Sequence, residues 1–148
     1  MELYGNKGSA ASADIQLYRA LAAGDLPAAR LVSKSSGDDP VSAFNRGLCL
    51  FKLGETEQAV TELKRAEQLL GNPPELDISE RNLFIKAIEL SREQPLYLLP
   101  LDPESAEVCA RYFLIRTKWL SAVCLEQLGR SGEAALINRF LAQYNIEL

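Results

Sequence analysis

The chain has 148 residues, of which 47% are hydrophobic and 24% charged, and its formal net charge is -4. This composition is typical of a folded globular protein, and the length suits a single domain. An acidic chain has no general attraction for phosphate backbones or anionic lipid, so neither nucleic acid nor a membrane surface is an expected partner.

Apolar residues recur at steps of three and four along nearly the whole sequence, which predicts an all-α fold of about seven helices. We expect a first helix over about residues 12–23, ending at Gly24 as helices commonly do at glycine. Asp25 then has the position of an N-cap residue for a second helix, which fades over residues 35–37.

Cap and break residues also delimit the next two helices. Asp39 and Pro40 suit the cap and the first turn of a third helix, which runs to Gly54. A fourth helix is expected over about residues 56–70, because Gly71 and the two prolines soon after it cannot continue the helix.

A proline-rich connector leads to a fifth helix, expected over about residues 78–92. The next run, residues 94–101, holds apolar residues between Pro95 and Pro100. We expect this run to form an ordered, largely extended loop that packs against the protein.

Asp102 and Pro103 again suit a cap and a first helical turn, and no glycine or proline interrupts residues 104–128. We expect one long sixth helix there, with a bend partway as the main alternative. Gly129 ends this helix, and a last helix is expected over about residues 132–144.

Gly24, Gly54 and Gly129 lie in three similar segments, each of which places an alanine five residues after the glycine. A tight turn between two short helices needs a residue that tolerates unusual backbone angles, and close helix crossing needs small side chains. The pattern therefore predicts three helix pairs in a single domain, with a helix and a loop inserted before the third pair. The approximate ranges are 12–36, 40–70 and 104–144 for the pairs and 75–103 for the insertion.

Residues 43–66 resemble the tetratricopeptide repeat, a family of helical-hairpin repeats. The residues that match the repeat pattern are Gly47, Leu50, Ala59, Leu63 and Ala66. Ala43 and Arg46 depart from it, since the pattern has tryptophan and leucine there, and the flanking pairs match less well. The resemblance implies a right-handed solenoid of helical hairpins, whose first helices line a concave groove that binds a peptide or a helix of another protein.

Carrying the family's groove positions onto this chain gives nine candidate partner-binding residues. They are Tyr18, Val41, Phe44, Asn45, Leu48, Lys52, Arg116, Trp119 and Val123. Aromatic side chains would anchor a ligand, Trp119 foremost, and the alternative is that these aromatics simply pack between helices. Some family members hold a C-terminal carboxylate with a clamp of Lys, Asn and Arg. Only Asn45 has an obvious counterpart in that clamp, so an apolar or helical ligand is expected.

No pattern in the sequence predicts a catalytic, metal or cofactor site. The chain has no histidine, the usual general base and the commonest metal ligand. Its single glycines at helix ends form no nucleotide-binding loop. Cys49, Cys109 and Cys124 lie in apolar helical patterns, where a free thiol is expected to pack as a small hydrophobe.

We therefore expect a protein-interaction module or scaffold, not an enzyme. A cytoplasmic location is expected, because neither a secretory signal nor an apolar membrane span is predicted. One alternative is a self-associating structural subunit, a possible homo-oligomer, whose groove is filled by its own sixth helix or N-terminal arm. Another is a role like that of the helical-repeat chaperones of bacterial type III secretion, by analogy alone. An enzyme with an unrecognised carboxylate site is least expected.

Overall fold

In the computed structural model the backbone is described for residues 2–90, 95–105 and 110–146, and side chains from residue 12 onward within these ranges. Within them the chain forms seven α-helices and no strand, which confirms the prediction of an all-α fold. The helices are α1 (Glu2–Ala22), α2 (Leu26–Ser33), α3 (Pro40–Lys52), α4 (Thr56–Leu70), α5 (Ile78–Leu90), α6 (Ala110–Gln127) and α7 (Ser131–Ala142). Two 3-10 turns, Leu96–Leu98 and Pro103–Ser105, lie between α5 and α6.

The start of α1 differs from that expected, and the expected end of α5 falls on residues that the structure does not describe. α1 begins at Glu2, well before residue 12, because no proline interrupts residues 2–11 and the helix continues through them. α5 is described as far as Leu90, and the remainder of its expected length falls outside the described residues.

The insertion before α6 also differs from the expectation. Residues 95–101 are packed, as expected, but they contain a 3-10 turn because Pro95 suits the start of a tight turn. The N–H of Leu98 donates to the carbonyl of Pro95 at 3.0 Å. Of the long sixth helix expected over residues 104–128, the structure describes a 3-10 turn, Pro103–Ser105, and α6 from Ala110, while residues 106–109 lie outside the described residues.

The three glycines of the repeated pattern form the same corner. Gly24, Gly54 and Gly129 have φ angles of 75°, 82° and 75°, a left-handed conformation that favours glycine. In each corner the residue that follows the glycine donates its main-chain N–H to the carbonyl of the residue five positions earlier, as in a Schellman motif. These bonds are Asp25 to Ala20 at 2.9 Å, Glu55 to Leu50 at 2.8 Å and Arg130 to Leu125 at 2.9 Å.

Small residues lie where the helices of each pair cross. Ala29, Ala59 and Ala134 are fully buried. A methyl group built on Gly47 would come within 2.9 Å of Cγ of Leu63, so only glycine fits this crossing of α3 with α4 without displacement. The pairs α1–α2, α3–α4 and α6–α7 each pack as a unit, and α2 contacts α3 while α4 contacts α6.

α5 lies outside this series of pairs and attaches to the third pair through aromatic contacts. The ring of Phe84 packs edge-on against Tyr112 at 5.3 Å and against Tyr144 at 6.1 Å between centroids. Phe84 and Tyr144 belong to a second buried cluster, which also contains Ile115, Trp119 and Leu141, and the half-buried Tyr112 packs against it. The larger cluster lies among α1 to α4, α6 and α7, and it includes Leu101.

Candidate functional site

The nine residues expected to bind a partner lie on α1, α3 and α6, the first helices of the three pairs. On α3 and α6 they recur at steps of three and four, so they share one side of each helix. α3 contacts both α1 and α6, which places the three sides next to one another. We call this surface the inner face, and we call residues 95–101, which lie against it, the internal segment.

Asn45 binds the main chain of the internal segment at two points. Its Nδ2 donates to the carbonyl oxygen of Leu101 at 2.9 Å, and the N–H of Leu101 donates to its Oδ1 at 2.9 Å. Asn45 is 1% exposed and Leu101 is equally buried, so both bonds are shielded from water. Because the amide satisfies both main-chain groups of one residue, it holds polypeptide backbone independently of the side chain that the backbone carries.

Arg116 binds the same segment from α6. Its guanidinium donates to the carbonyl oxygen of Leu99 and, at 2.8 Å, to the hydroxyl of Tyr112. The guanidinium carbon lies 5.5 Å from the ring centroid of Phe44 and 5.6 Å from that of Tyr112, so two ring faces support the positive charge. Arg116 is 2% exposed, and this burial lowers the pKa of its guanidinium. These partners are neutral oxygens and aromatic rings, which makes the Leu99 carbonyl part of the solvation of a buried cation.

Trp119 of the inner face is also covered by the internal segment. The ring of Trp119 packs against Tyr97 with 5.4 Å between centroids. Val41, Phe44 and Leu48 are buried in the main core. Six of the nine candidates, namely Val41, Phe44, Asn45, Leu48, Arg116 and Trp119, are therefore not available as an open groove, because the protein's own packing encloses them.

Tyr18 and Lys52 lie where the inner face stays open. They line a cleft of about 440 Å³ between the end of α1 and the internal segment, together with Leu21, Leu98 and Pro100. Lys52 is the one cationic side chain in this lining, and it forms no ion pair within the described residues. The last candidate, Val123, is half-buried beside the second cluster and takes no part in this cleft.

A second cleft, of about 490 Å³, lies between α2, α3 and α4 on another side of the protein. Its most enclosed cation, Arg46, pairs with Glu62 at 3.2 Å and donates to Oγ of Ser36 at 2.8 Å and to the carbonyl of Gly37 at 2.6 Å. These partners already satisfy the guanidinium. The contacts thus join α3 to the end of α2 and to α4, a structural role.

A third hollow, of about 300 Å³ and mostly apolar, lies beside α5. Leu76, Leu83 and Tyr112 are among its lining residues. Our sequence reasoning missed this surface. The signal that could have found it is the seven-residue spacing of Leu76, Leu83 and Leu90, which marks one stripe of a helix.

The described residues contain no group of His, Cys, Asp and Glu side chains that could hold a metal ion. Cys49 and Cys124 are free, buried thiols, as expected, while Cys109 lies outside the described residues. Burial raises the pKa of Cys49, and it raises that of Cys124 to about 12, so neither thiol is activated as a nucleophile. Within the described part of the chain, no helix has the length and apolar character needed to cross a bilayer.

Comparisons with protein-family models, with curated proteins and with solved structures find no match to this chain. The case for its function therefore depends on its own residues and their packing. The strongest single feature is the pair of buried polar side chains, Asn45 and Arg116, that hold main-chain groups of the internal segment.

Proposed function

We propose that this chain is a protein-interaction module of tetratricopeptide-like helix pairs whose inner face binds polypeptide main chain. The observation that carries the proposal is the set of bonds from Asn45 and Arg116 to the main chain of Leu99 and Leu101. Main-chain hydrogen bonds supply affinity in many peptide-binding sites, while side-chain pockets supply specificity. The inner face has both kinds of feature, and the protein's own segment uses them.

The tetratricopeptide-like part of the proposal is supported by the recurrence of local structure. The same glycine corner closes three helix pairs, and a buried alanine follows each corner at the same distance. The second helix of one pair contacts the first helix of the next, which is the neighbour-to-neighbour packing of repeat proteins. α5 and the internal segment form an insertion in this series.

An outside partner would bind in the cleft of Tyr18 and Lys52. This cleft continues the inner face beyond the internal segment, so a bound chain would extend along Leu98 and Pro100. Leu21, Leu98 and Pro100 supply apolar surface to the cleft, and polar groups, among them one phenol and one ammonium group, make up about as much of its lining. We therefore propose as the ligand a peptide or helix that carries both apolar side chains and an acidic one.

No catalytic activity is part of this proposal. The absence of histidine from the sequence and the raised pKa of two of its three cysteines support that choice. A self-associating subunit is the second candidate function, favoured by exposed leucines on α5.

The test compares proteins captured by the wild type with those captured by a Tyr18→Ala/Lys52→Glu variant. Lys64→Glu is the matched control, because it reverses the charge of an exposed lysine on α4, away from the cleft. We expect a specific set of proteins from the native cell extract to be retained by the wild type and the control and lost by the cleft variant. Equal retention by all three proteins would refute the proposed site, provided that circular dichroism shows all three folded.

A further inference from the structure

Three of the five exposed large apolar side chains in the described part of the protein lie on α5. Ile78 is 81% exposed, Leu83 is 67% exposed and Leu90 is 79% exposed, and the two leucines are seven residues apart. Seven residues correspond to nearly two helical turns, so both leucines lie on one stripe, which Leu76 extends just before the helix. An exposed apolar stripe of this kind marks an interaction surface.

The same surface carries a hollow next to the protruding leucines. Leu76, Leu83, Phe84, Ala87, Tyr112 and Glu80 line this hollow of about 300 Å³. The buried ring of Phe84 and the half-buried ring of Tyr112, in edge-to-face contact, fix its base. A protruding leucine and an apolar hollow on one surface are the two features that a self-complementary, two-fold interface requires.

The charges on α5 are also self-complementary. Glu80 lies three residues before Leu83 and Lys86 lies three residues after it. In an antiparallel pair of α5 helices centred on Leu83, Glu80 of each copy therefore faces Lys86 of the other. Both charged residues are exposed, and neither forms an ion pair within the described chain.

We propose that the protein forms a two-fold dimer through antiparallel packing of α5 against α5 of a second copy. Leu83 of each copy enters the hollow of the other, and two Glu80–Lys86 pairs flank the contact and set its direction. Opposite charges at the rim of an interface fix its register more than they add to its affinity. The hollow shares Tyr112 with the surroundings of Arg116, but α5 carries none of the nine inner-face residues. The proposal develops the second candidate function, self-association, and does not require a ligand in the cleft of Tyr18 and Lys52.

Sedimentation velocity over a wide range of protein concentration tests the proposal. We expect a concentration-dependent dimer for the wild type and a monomer for Leu83→Asp. Leu136→Asp is the matched control, since Leu136 is 66% exposed but lies on α7, and this variant should dimerise like the wild type. A monomeric wild type, or a dimer that Leu83→Asp leaves intact, would overturn the proposal. A monomeric wild type that instead binds a helix of a different protein through Leu83 would overturn it equally.

A mixing experiment tests the register. Lys86→Glu places two carboxylates face to face at each end of the contact, and Glu80→Lys places two ammonium groups there. We expect each variant alone to dimerise about tenfold more weakly than the wild type. An equimolar mixture should recover dimers, as heterodimers, because opposite charges then face each other at both ends. No recovery in the mixture of the two folded variants would refute the antiparallel register.

Discussion

The side chain of Asn45 and the main chain of Leu101 exchange two hydrogen bonds of 2.9 Å, although the residues are 56 positions apart. This pair ties α3 to the end of the internal segment. Because both residues are buried, neither the amide nor the main-chain groups have water as an alternative partner. The inner face and the internal segment are thus parts of one structural unit.

Replacement of Asn45 by alanine should destabilise the protein by about 2–4 kcal/mol. The change leaves the N–H and the carbonyl of Leu101 buried without partners, and each such group costs about 1–3 kcal/mol. Urea unfolding monitored by circular dichroism measures the difference. The matched control is Asn82→Ala on the exposed part of α5, for which we expect a change within about 0.5 kcal/mol. Equal stability of the Asn45 and Asn82 variants would contradict the two buried bonds.

Substitution of Gly47 by alanine should lower the free energy of unfolding by about 1 kcal/mol. The added methyl group would come within 2.9 Å of Cγ and 3.0 Å of Cδ2 of Leu63, which is fully buried, so that side chain or one of the two helices must shift. Overpacking of this kind costs about 1–3 kcal/mol, which outweighs the roughly 1 kcal/mol that alanine gains over glycine in a helix. Thermal and urea unfolding both report the change.

Gly132→Ala on α7 is the control for the Gly47 substitution. A methyl group there meets nothing within 4 Å. The substitution then acts only by reducing the conformational freedom of the unfolded chain. We therefore expect this variant to be as stable as the wild type or up to about 1 kcal/mol more stable. A stabilised Gly47→Ala variant would show that α3 and α4 do not cross as closely as described.

Cys49 and Cys124 should resist alkylation in the native protein. Both thiols are buried, and burial raises the pKa of Cys124 to about 12, so almost no thiolate exists at neutral pH. Labelling with iodoacetamide, followed by mass spectrometry of the peptides, should modify both residues only after denaturation. Rapid native labelling of Cys124 at neutral pH would contradict its position in the core.

Tyr144→Phe should destabilise the protein by about 1–2 kcal/mol at neutral pH. The hydroxyl of Tyr144 donates to the Glu75 carboxylate and accepts a bond of 3.2 Å from Nε of Arg111, so it links the end of the chain to the connector after α4. Tyr97→Phe is the control, because the hydroxyl of Tyr97 has no hydrogen bond within the described residues.

Tyr144→Phe also tests how the stability of the protein changes at alkaline pH. Burial, and then the bond to Glu75, raise the pKa of Tyr144 above its ordinary value of 10.0. The folded state therefore keeps the phenol protonated where the unfolded state loses the proton, so this contribution to stability falls as the pH rises above about 10. The stability advantage of the wild type over Tyr144→Phe should shrink from pH 9 to about pH 11. An advantage that stays constant over this range would contradict the raised pKa.

Local patterns in the sequence were enough to predict the helices and their corners. α4 has the predicted bounds, Thr56–Leu70, because glycine and proline residues delimit it on both sides. Asp25 and Asp39 cap α2 and α3 as expected, each accepting a main-chain N–H bond in the first turn. Signals of this kind act within a few residues, so the sequence shows them directly.

Whether the inner face is open or covered could not be predicted from local sequence patterns. An apolar run between Pro95 and Pro100 indicates a packed loop, but no local pattern shows which surface it packs on. That choice depends on the contact between Asn45 and Leu101, which are remote in the chain. The stripe of Leu83 and Leu90 poses a similar problem, since its seven-residue spacing is the same for a buried helix face and an exposed one.

Amide hydrogen exchange of Leu101, measured by NMR, tests the central claim that the inner face holds polypeptide main chain. We expect the Leu101 N–H to exchange as slowly as the amides in the interior of α3, because it is buried and donates to Oδ1 of Asn45. In Asn45→Ala the protection of this one amide should fall relative to those of α3. Exchange of the wild-type Leu101 amide at the rate of an unstructured chain would contradict the claim.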